Sequence, residues 1–354
     1  MDPATHALTS FALARGIFPR RPWWFVLGVV LAGTIADFDL VSALVGPGAY
    51  LSFRHTITHS VLGAVAVIAV SVGIAVGLRV KGGPSRTPVR DAENALQKTG
   101  RTADTGIMTL LIAGTLAAVL HVLMDVCTSA GVALLWPWRM TRFAWDWLPG
   151  VDPWILALLL AGILLPELFG LVGSEIGAKS KAPRGRNGAI AALALALIYV
   201  GVRATLHGNA VAQLDAHTYR GESPRRLAAF ADPVSLLSWH GVVETTKQIC
   251  VVNVPASEST RFDPESGLCV HKPEDSPLLQ TAVQTGATKK FLQAARFPKA
   301  SVGATEDGTE VVVRDVRDSA ENETRFAIAV RILLDRKGRV TSQQTLWASE
   351  VHLR

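Results

Sequence analysis

Three features of the sequence predict a mainly α fold, a polytopic transmembrane helix bundle followed by a small C-terminal α+β domain. Hydrophobic residues fill 49% of the 354 positions and charged residues only 18%, an unusually apolar balance for a water-soluble chain. The apolar residues concentrate between Trp23 and His207, in long runs of Ala, Val, Leu, Ile and Gly. From about Thr218 onward, charged and polar residues recur every few positions. This change of composition sets the expected boundary, with residues 1–210 as a transmembrane domain carrying the site and 211–354 as an extramembrane domain.

In chain order, Pro3 to Phe18 and Pro22 to Ala36 read as two short helices. They are hinged at Phe18-Pro19-Arg20-Arg21-Pro22, a turn through which no helix runs. A tight hairpin and a re-entrant pair are both compatible with this pattern. Four apolar segments follow, about Ser60 to Leu78, Ile107 to Val126, Pro153 to Val172 and Gly188 to Leu206. Each is close to the roughly 20 residues that cross a hydrocarbon core of about 30 Å. Met1 to Arg15 carries Asp2 and His6 where a cleavable signal has a basic region, so insertion is expected to use the internal segments. In the tail, Ser276 to Ala295 has helical periodicity, and Glu310 to Val316, Thr324 to Leu334 and Arg339 to Trp347 read as strands, with Asp335 to Gly338 as a turn.

The net charge of +6 does not point to nucleic acid, because the basic residues sit in short loops rather than in a stripe interleaved with aromatics. Membrane topology accounts for them. Arg79, Lys81, Arg86, Arg90, Lys98 and Arg101 crowd one linker, and Lys179, Lys181, Arg184 and Arg186 another. The loop from Thr128 to Asp152 has only Arg139 and Arg142, with Trp136, Trp138, Trp145 and Trp147 as an interfacial belt. The positive-inside tendency places both linkers in the cytoplasm, and the Trp-rich loop and the tail outside it. Three cysteines are too few for a disulfide framework. An extracytoplasmic tail permits a Cys250–Cys269 disulfide, and two free thiols fit the sequence equally well.

Ionisable groups at the ends of membrane helices carry the chemistry, since burying them at mid-bilayer costs about 2.5–3.5 kcal/mol each. Four groups stand out: His6, the pair Asp37 and Asp39, the pair His55 and His59, and His121 with Asp125. Residues four apart share a helix face, so His121 and Asp125 aim at one centre, as do His55 and His59 if their helix has already begun. Imidazole with carboxylate suits zinc, manganese or iron. The expected ligands are His6, Asp37, His59, His121 and Asp125, around one or two divalent ions, with zinc the expected metal. Asp39 is expected as a further ligand, as an orienting group, or with Asp37 as the base. Asp152, before Pro153, fits a helix N-cap or a site residue. Arg203 and His207 fit either an anion contact or an interface marker. Cys127 faces away from Asp125 and reads as packing. No HExxH, GxSxG or P-loop occurs, which removes the usual zinc-protease, serine-hydrolase and nucleotide readings.

Thr5-His6, Ala36-Asp37-Phe38-Asp39, Thr58-His59-Ser60 and His121-x-x-x-Asp125, with Thr128, Gly131 and Pro137 following, resemble the YdjM-like family of inner-membrane metal-dependent hydrolases. The resemblance covers about Met1 to Pro153 and thins beyond, where Ala231-Asp232-Pro233 and Trp239 match some relatives. It implies a multi-pass inner-membrane hydrolase with a metal site on the His and Asp positions above. Relatives often have Pro where this chain has Ala36, and His-Arg where it has Arg54-His55.

The expected function is therefore hydrolysis by metal-activated water at the outer membrane interface, with membrane lipid as neighbour and an amphipathic ester or phosphoester as substrate. The rival is a non-enzymatic transport or regulatory protein using the same residues for ion handling or structure. A transport path needs ionisable groups through the whole membrane depth, whereas these spans gather theirs at one end.

Overall fold

The structure, a computed structural model, describes residues 1–81, 92–175, 185–256, 262–318 and 327–351. Among the basic markers of topology, Arg86, Arg90, Lys179, Lys181 and Arg184 lie outside the described residues, as does the start of the strand expected from Thr324. Ten α-helices are present among the described residues. They are α1 (Pro3–Ile17), α2 (Trp23–Ala32), α3 (Ser42–Val45), α4 (Pro47–Phe53), α5 (Val61–Lys81), α6 (Ala92–Val126), α7 (Pro153–Glu175), α8 (Arg186–Asp215), α9 (Pro277–Val283) and α10 (Gly286–Ala294). The chain forms two compact units. The first comprises Met1–Phe38, Ile57–Trp136 and Phe143–Arg203; the second comprises Asp39–Thr56, Pro137–Arg142 and Ala204–Arg354.

The first unit is helical. Windows in α5 (Val61–Val80), α6 (Gly106–Val126), α7 (Pro153–Gly170) and α8 (Arg186–Asp215) are long and apolar enough to cross a membrane, at the four places where the sequence predicts spans. Leu111, Ile112, Leu116, Val119 and Leu123 of α6 are exposed, as expected of a surface whose solvent is lipid. α1 begins at Pro3 because the Asp2 carboxylate accepts from the Thr5 N–H (2.9 Å) and hydroxyl (2.5 Å), a capped start with proline in the first turn. α2 is shorter than the sequence suggests. It ends at Gly33 and the chain bends by 54° into a 3-10 helix, Ile35–Val41. A Cβ on Gly33 would lie 1.9 Å from Ser10 Oγ and 3.0 Å from Ser10 Cβ, so glycine lets α1 and α2 approach closely beside Asp37. Glu167 within α7 pairs with Arg15 at 2.7 Å, so the ionisable groups of the spans do not all gather at one end.

α7 and α8 pack through glycines. A Cβ on Gly188 would fall 2.3 Å from both the Gly162 carbonyl oxygen and Pro166 Cγ. Small residues at such crossings let backbones touch, the usual source of cohesion between helices in lipid.

The second unit holds two four-stranded antiparallel sheets, in the orders β1-β2-β3-β4 and β5-β6-β7-β8. The strands are β1 (Arg226–Ala231), β2 (Ser238–Glu244), β3 (Gln248–Pro255), β4 (Leu268–His271), β5 (Pro298–Thr305), β6 (Gly308–Asp315), β7 (Ile328–Asp335) and β8 (Val340–Trp347). Sequence periodicity anticipates β6, β7 and β8 and misses the whole first sheet. The helix expected over Ser276 to Ala295 is two helices, because the Thr285 hydroxyl accepts from the Thr288 N–H and starts α10 afresh. Phe297 and Val316, which flank β5 and β6, pack with Ala228, Val242 and Ile249 of the first sheet in one core. Cys250 and Cys269 stand opposite each other in the β3–β4 register and form a disulfide.

Replacing Gly188 by Val is expected to force α7 and α8 apart and to destabilise the bundle by about 1–3 kcal/mol. Thermal unfolding of the detergent-solubilised variant reads this directly, and an unchanged melting temperature contradicts the packing described.

Candidate metal centre

Four stretches of the first unit meet at one end of its bundle: the first turn of α1, the 3-10 turn after α2, the segment entering α5, and the last turns of α6. Each delivers its side chain for a local reason. His6 lies one turn inside α1, behind the Asp2 cap. Asp37 sits in the 3-10 turn, where its N–H donates to the Thr34 carbonyl (3.0 Å). His59 precedes α5, and the Ser60 hydroxyl oxygen next to it accepts from the Gly63 N–H (3.0 Å). His121 and Asp125 are one turn apart on α6.

All five side chains are buried, His59 and Asp125 completely. Asp125 is central. Its Oδ1 lies 3.1 Å from His6 Nε2, and its Oδ2 lies 3.1 Å from His59 Nε2 and 3.3 Å from His121 Nε2. The α-amino group of Met1 also contacts Oδ1. Asp37 stands further off, with Oδ2 3.9 Å from His6 Nε2 and Oδ1 3.9 Å from His59 Nε2. Ring centroids are 3.9 Å apart for His6 and His121 and 5.0 Å apart for His59 and His121. One ligand atom from each of His6, Asp37, His121 and Asp125 lies within 4.8 Å of all the others. Donors that share a tetrahedral zinc at about 2.1 Å stand about 3.4 Å apart, so a set whose members all lie within 4.8 Å of one another reaches that spacing by shifts of at most about 1.4 Å.

Hydrogen bonds behind the rings decide which nitrogen faces the centre. His121 Nδ1 lies 2.9 Å from the Gly33 carbonyl oxygen, which accepts only, so Nδ1 carries the proton. Its Nε2, buried and without a hydrogen bond, turns a lone pair toward Asp125. Thr58 acts one step removed. Its hydroxyl donates to the Ala36 carbonyl (2.9 Å) and accepts from His59 Nδ1 (3.0 Å), which leaves His59 Nε2 as the acceptor as well. Two imidazole lone pairs then face a carboxylate oxygen at hydrogen-bond distance with no proton between them. That arrangement repels unless the rings or the carboxyl group are protonated or a cation lies among them. The donor set fits a divalent ion, and the carbonyl and hydroxyl behind the rings are the outer partners that metal-binding histidines use. His6 differs, because its Nδ1 is buried without a hydrogen bond.

Asp39 and His55 belong to the second unit. Asp39 accepts from Arg54 Nη1 (2.5 Å) and from the His55 backbone N–H (2.8 Å). His55 has φ +55° and α5 starts only at Val61, so the helical i, i+4 relation considered for His55 and His59 does not occur. Arg142 donates to the Arg54 carbonyl oxygen (3.0 Å); burial, then the like charge of Arg317, lower its pKa to about 10, and it remains charged at neutral pH. Asp152 caps α7, accepting from the Trp154 and Ile155 N–H groups (3.0 Å each) and from the Tyr199 hydroxyl (2.9 Å). Arg203 is buried and donates to the Trp147 carbonyl oxygen at 3.3 Å. His207 meets Trp239 edge-on at 5.3 Å. Cys127 is buried among Leu148, Ile155 and Leu159, in a packing role. Sequence reasoning missed Thr58 and Gly33 as supports; the hydroxyl beside His59 was a readable signal, whereas a backbone carbonyl leaves none.

Thr58→Val removes the hydroxyl that orients His59 while keeping its volume. The expected outcome is a folded protein with divalent-metal affinity weakened about 10–100-fold, measured by competition with a chromophoric chelator.

A family model described as YdjM inner membrane protein matches residues 1–210. No curated protein and no solved structure matches the chain.

Proposed function

The chain belongs to the YdjM inner membrane protein family, and from that premise we propose that it is a membrane-bound, metal-dependent hydrolase. The observation that carries the reading is the ring of His6, His59 and His121 around the buried Asp125 carboxylate. His6, Asp37, His59, His121 and Asp125 hold the metal. Each of the two carboxylates directs one oxygen at His6 and the other at His59, a division that favours two ions over one. Zinc is the proposed metal, from the nitrogen and oxygen donors.

When bound, a divalent ion supplies Lewis acidity, which lowers the pKa of coordinated water from 15.7 toward about 7. The protein does the rest. His59 and His121 present Nε2 because Thr58 and the Gly33 carbonyl hold their other nitrogens. Asp37, the more distant carboxylate, would take the proton from water with whichever oxygen it does not give to an ion. Asp39 is a positioning residue, since Arg54 and the His55 N–H engage its two oxygens.

The site opens at the extracytoplasmic face, with the C-terminal domain on the same side. The Cys250–Cys269 disulfide supports this orientation, because disulfides persist in oxidising compartments. A substrate reached at that level is an amphipathic ester or phosphoester of the membrane, and no nucleic-acid partner is proposed.

Elemental analysis of detergent-purified protein tests the reading. One to two divalent ions per wild-type chain are expected, and less than a tenth of that in Asp125→Ala that elutes as a folded species. A metal-free wild type defeats the proposal. A loaded wild type that cleaves no ester or phosphoester lipid presented in vesicles reduces it to a structural metal. Alkylation in intact cells checks the orientation: Cys250 and Cys269 are expected to react with maleimide only after reduction, and thiols that react without it count against an oxidising location.

A further inference from the structure

The segment Leu40 to Phe53 contains no charged residue, yet it is an excursion between two charged ones. Asp39 and Arg54 close its neck, with Arg54 Nη1 donating to Asp39 Oδ1 at 2.5 Å and the His55 N–H donating to Asp39 Oδ2 at 2.8 Å. The two halves of the excursion have different fates. α4 places Tyr50 and Leu51 on the core formed by α9, α10 and the second sheet, with Tyr50 edge-on to Trp347 at 5.6 Å. α3 has no such cover. Val41, Leu44 and Val45 are 52%, 87% and 80% exposed, the reverse of what a water-facing surface turn carries. The tip turns at Gly46, with φ +137° that a side chain would disfavour, followed by Pro47.

Several polar groups of the excursion are satisfied within it or at its neck. The Ser42 hydroxyl donates to the Asp39 carbonyl (2.5 Å) and the Ser52 hydroxyl to the Gly48 carbonyl (2.8 Å). The N–H groups of Gly46, Tyr50 and Arg54 donate to the carbonyls of Ser42, Gly46 and Tyr50. Internal satisfaction is the condition for backbone to enter hydrocarbon. Continuity points the same way, because Ile35–Val45 together with α2 is apolar enough to count as a bent membrane-crossing pair. In the same unit, Trp138 and Met140 are 71% and 42% exposed, and tryptophan favours the membrane–water interface.

We propose that the α3 turn is a membrane-inserted finger, with Leu44 and Val45 among the acyl chains of the bilayer and the Asp39–Arg54 pair at headgroup level. The finger is a lipid-contacting surface in its own right and does not depend on the metal or on hydrolysis. It does join the centre through the chain, for its neck residues Asp39 and His55 stand two and four residues from Asp37 and His59.

The test is depth-dependent quenching in the full-length protein, reconstituted in phosphatidylcholine nanodiscs. Cys127 is buried and Cys250 and Cys269 are joined, so Leu44→Cys and Val45→Cys each provide one reactive thiol for an environment-sensitive fluorophore. Asp307→Cys, in the exposed turn between β5 and β6, provides the aqueous control. The expected result is blue-shifted emission at positions 44 and 45, quenched at least threefold more by acyl-chain nitroxide lipids than at position 307, with iodide quenching reversed in order. Iodide quenching at 44 and 45 equal to that at 307 overturns the proposal. So does a label shielded from both quenchers that becomes iodide-accessible at one chain per disc, which would assign the turn to contact with a second copy. Because two adjacent positions are labelled, misfolding of one variant leaves the other to decide.

Discussion

A carboxylate buried without water needs positive charge or proton donors around it, and Asp125 imposes that requirement on the whole helical unit. Ionised and unpaired, it would cost several kcal/mol at the least. Its surroundings meet the demand with three imidazole nitrogens between 3.1 and 3.3 Å away and the Met1 amino group. Two of those rings present lone pairs, by the logic of Thr58 and the Gly33 carbonyl. The unit therefore carries a centre whose donors are compatible with a metal ion, and α1, α2, α5 and α6 are arranged so that their ends reach it.

Close packing makes that convergence geometrically feasible. Gly33 lets α1 and α2 touch at Ser10 and simultaneously offers its carbonyl to His121. The same residue thus ends α2, turns the chain toward Asp37 and fixes the tautomer of a ring on another helix. Ala117 and Ala113 of α6 are buried with Ala32 and Val29 of α2 in one cluster, and small side chains there keep the helices near enough for the site to close. Packing and chemistry are coupled at this end of the bundle, so a change in either is felt by the other.

The second unit is built on different physics. Its cores hold Trp239, Tyr219 and Phe297, and a disulfide joins β3 to β4. The same unit includes Asp39–Thr56 and Pro137–Arg142, drawn from the loops that flank the His and Asp cluster in the chain. The C-terminal sheets thus share a unit with pieces of the chain that lie between the apolar helices, and Tyr50 and Leu51 pack on the core of the second sheet.

The spans were legible in the sequence because hydropathy is additive along a helix and needs no knowledge of neighbours. His121 and Asp125 were legible for the same local reason, since a helix repeats its face every three to four residues. The first sheet was not, because its strands mix small, polar and apolar residues, and their pairing brings together residues such as Leu227 and Val243 that no local period marks. The break at Thr285 and the left-handed turn at His55 were invisible too, one set by a capping bond and the other by a bond to Asp39. By itself, then, the chain determined a membrane helical part, a polar α+β tail and the ligand-type residues at helix ends. Only the tertiary structure decided that His6 meets Asp125 across 119 residues, which ring nitrogens turn inward, and that Asp39 is held by Arg54. Those outcomes depend on backbone carbonyls and interhelical distances, and every residue has a carbonyl, so no letter of the sequence announces which one will be used.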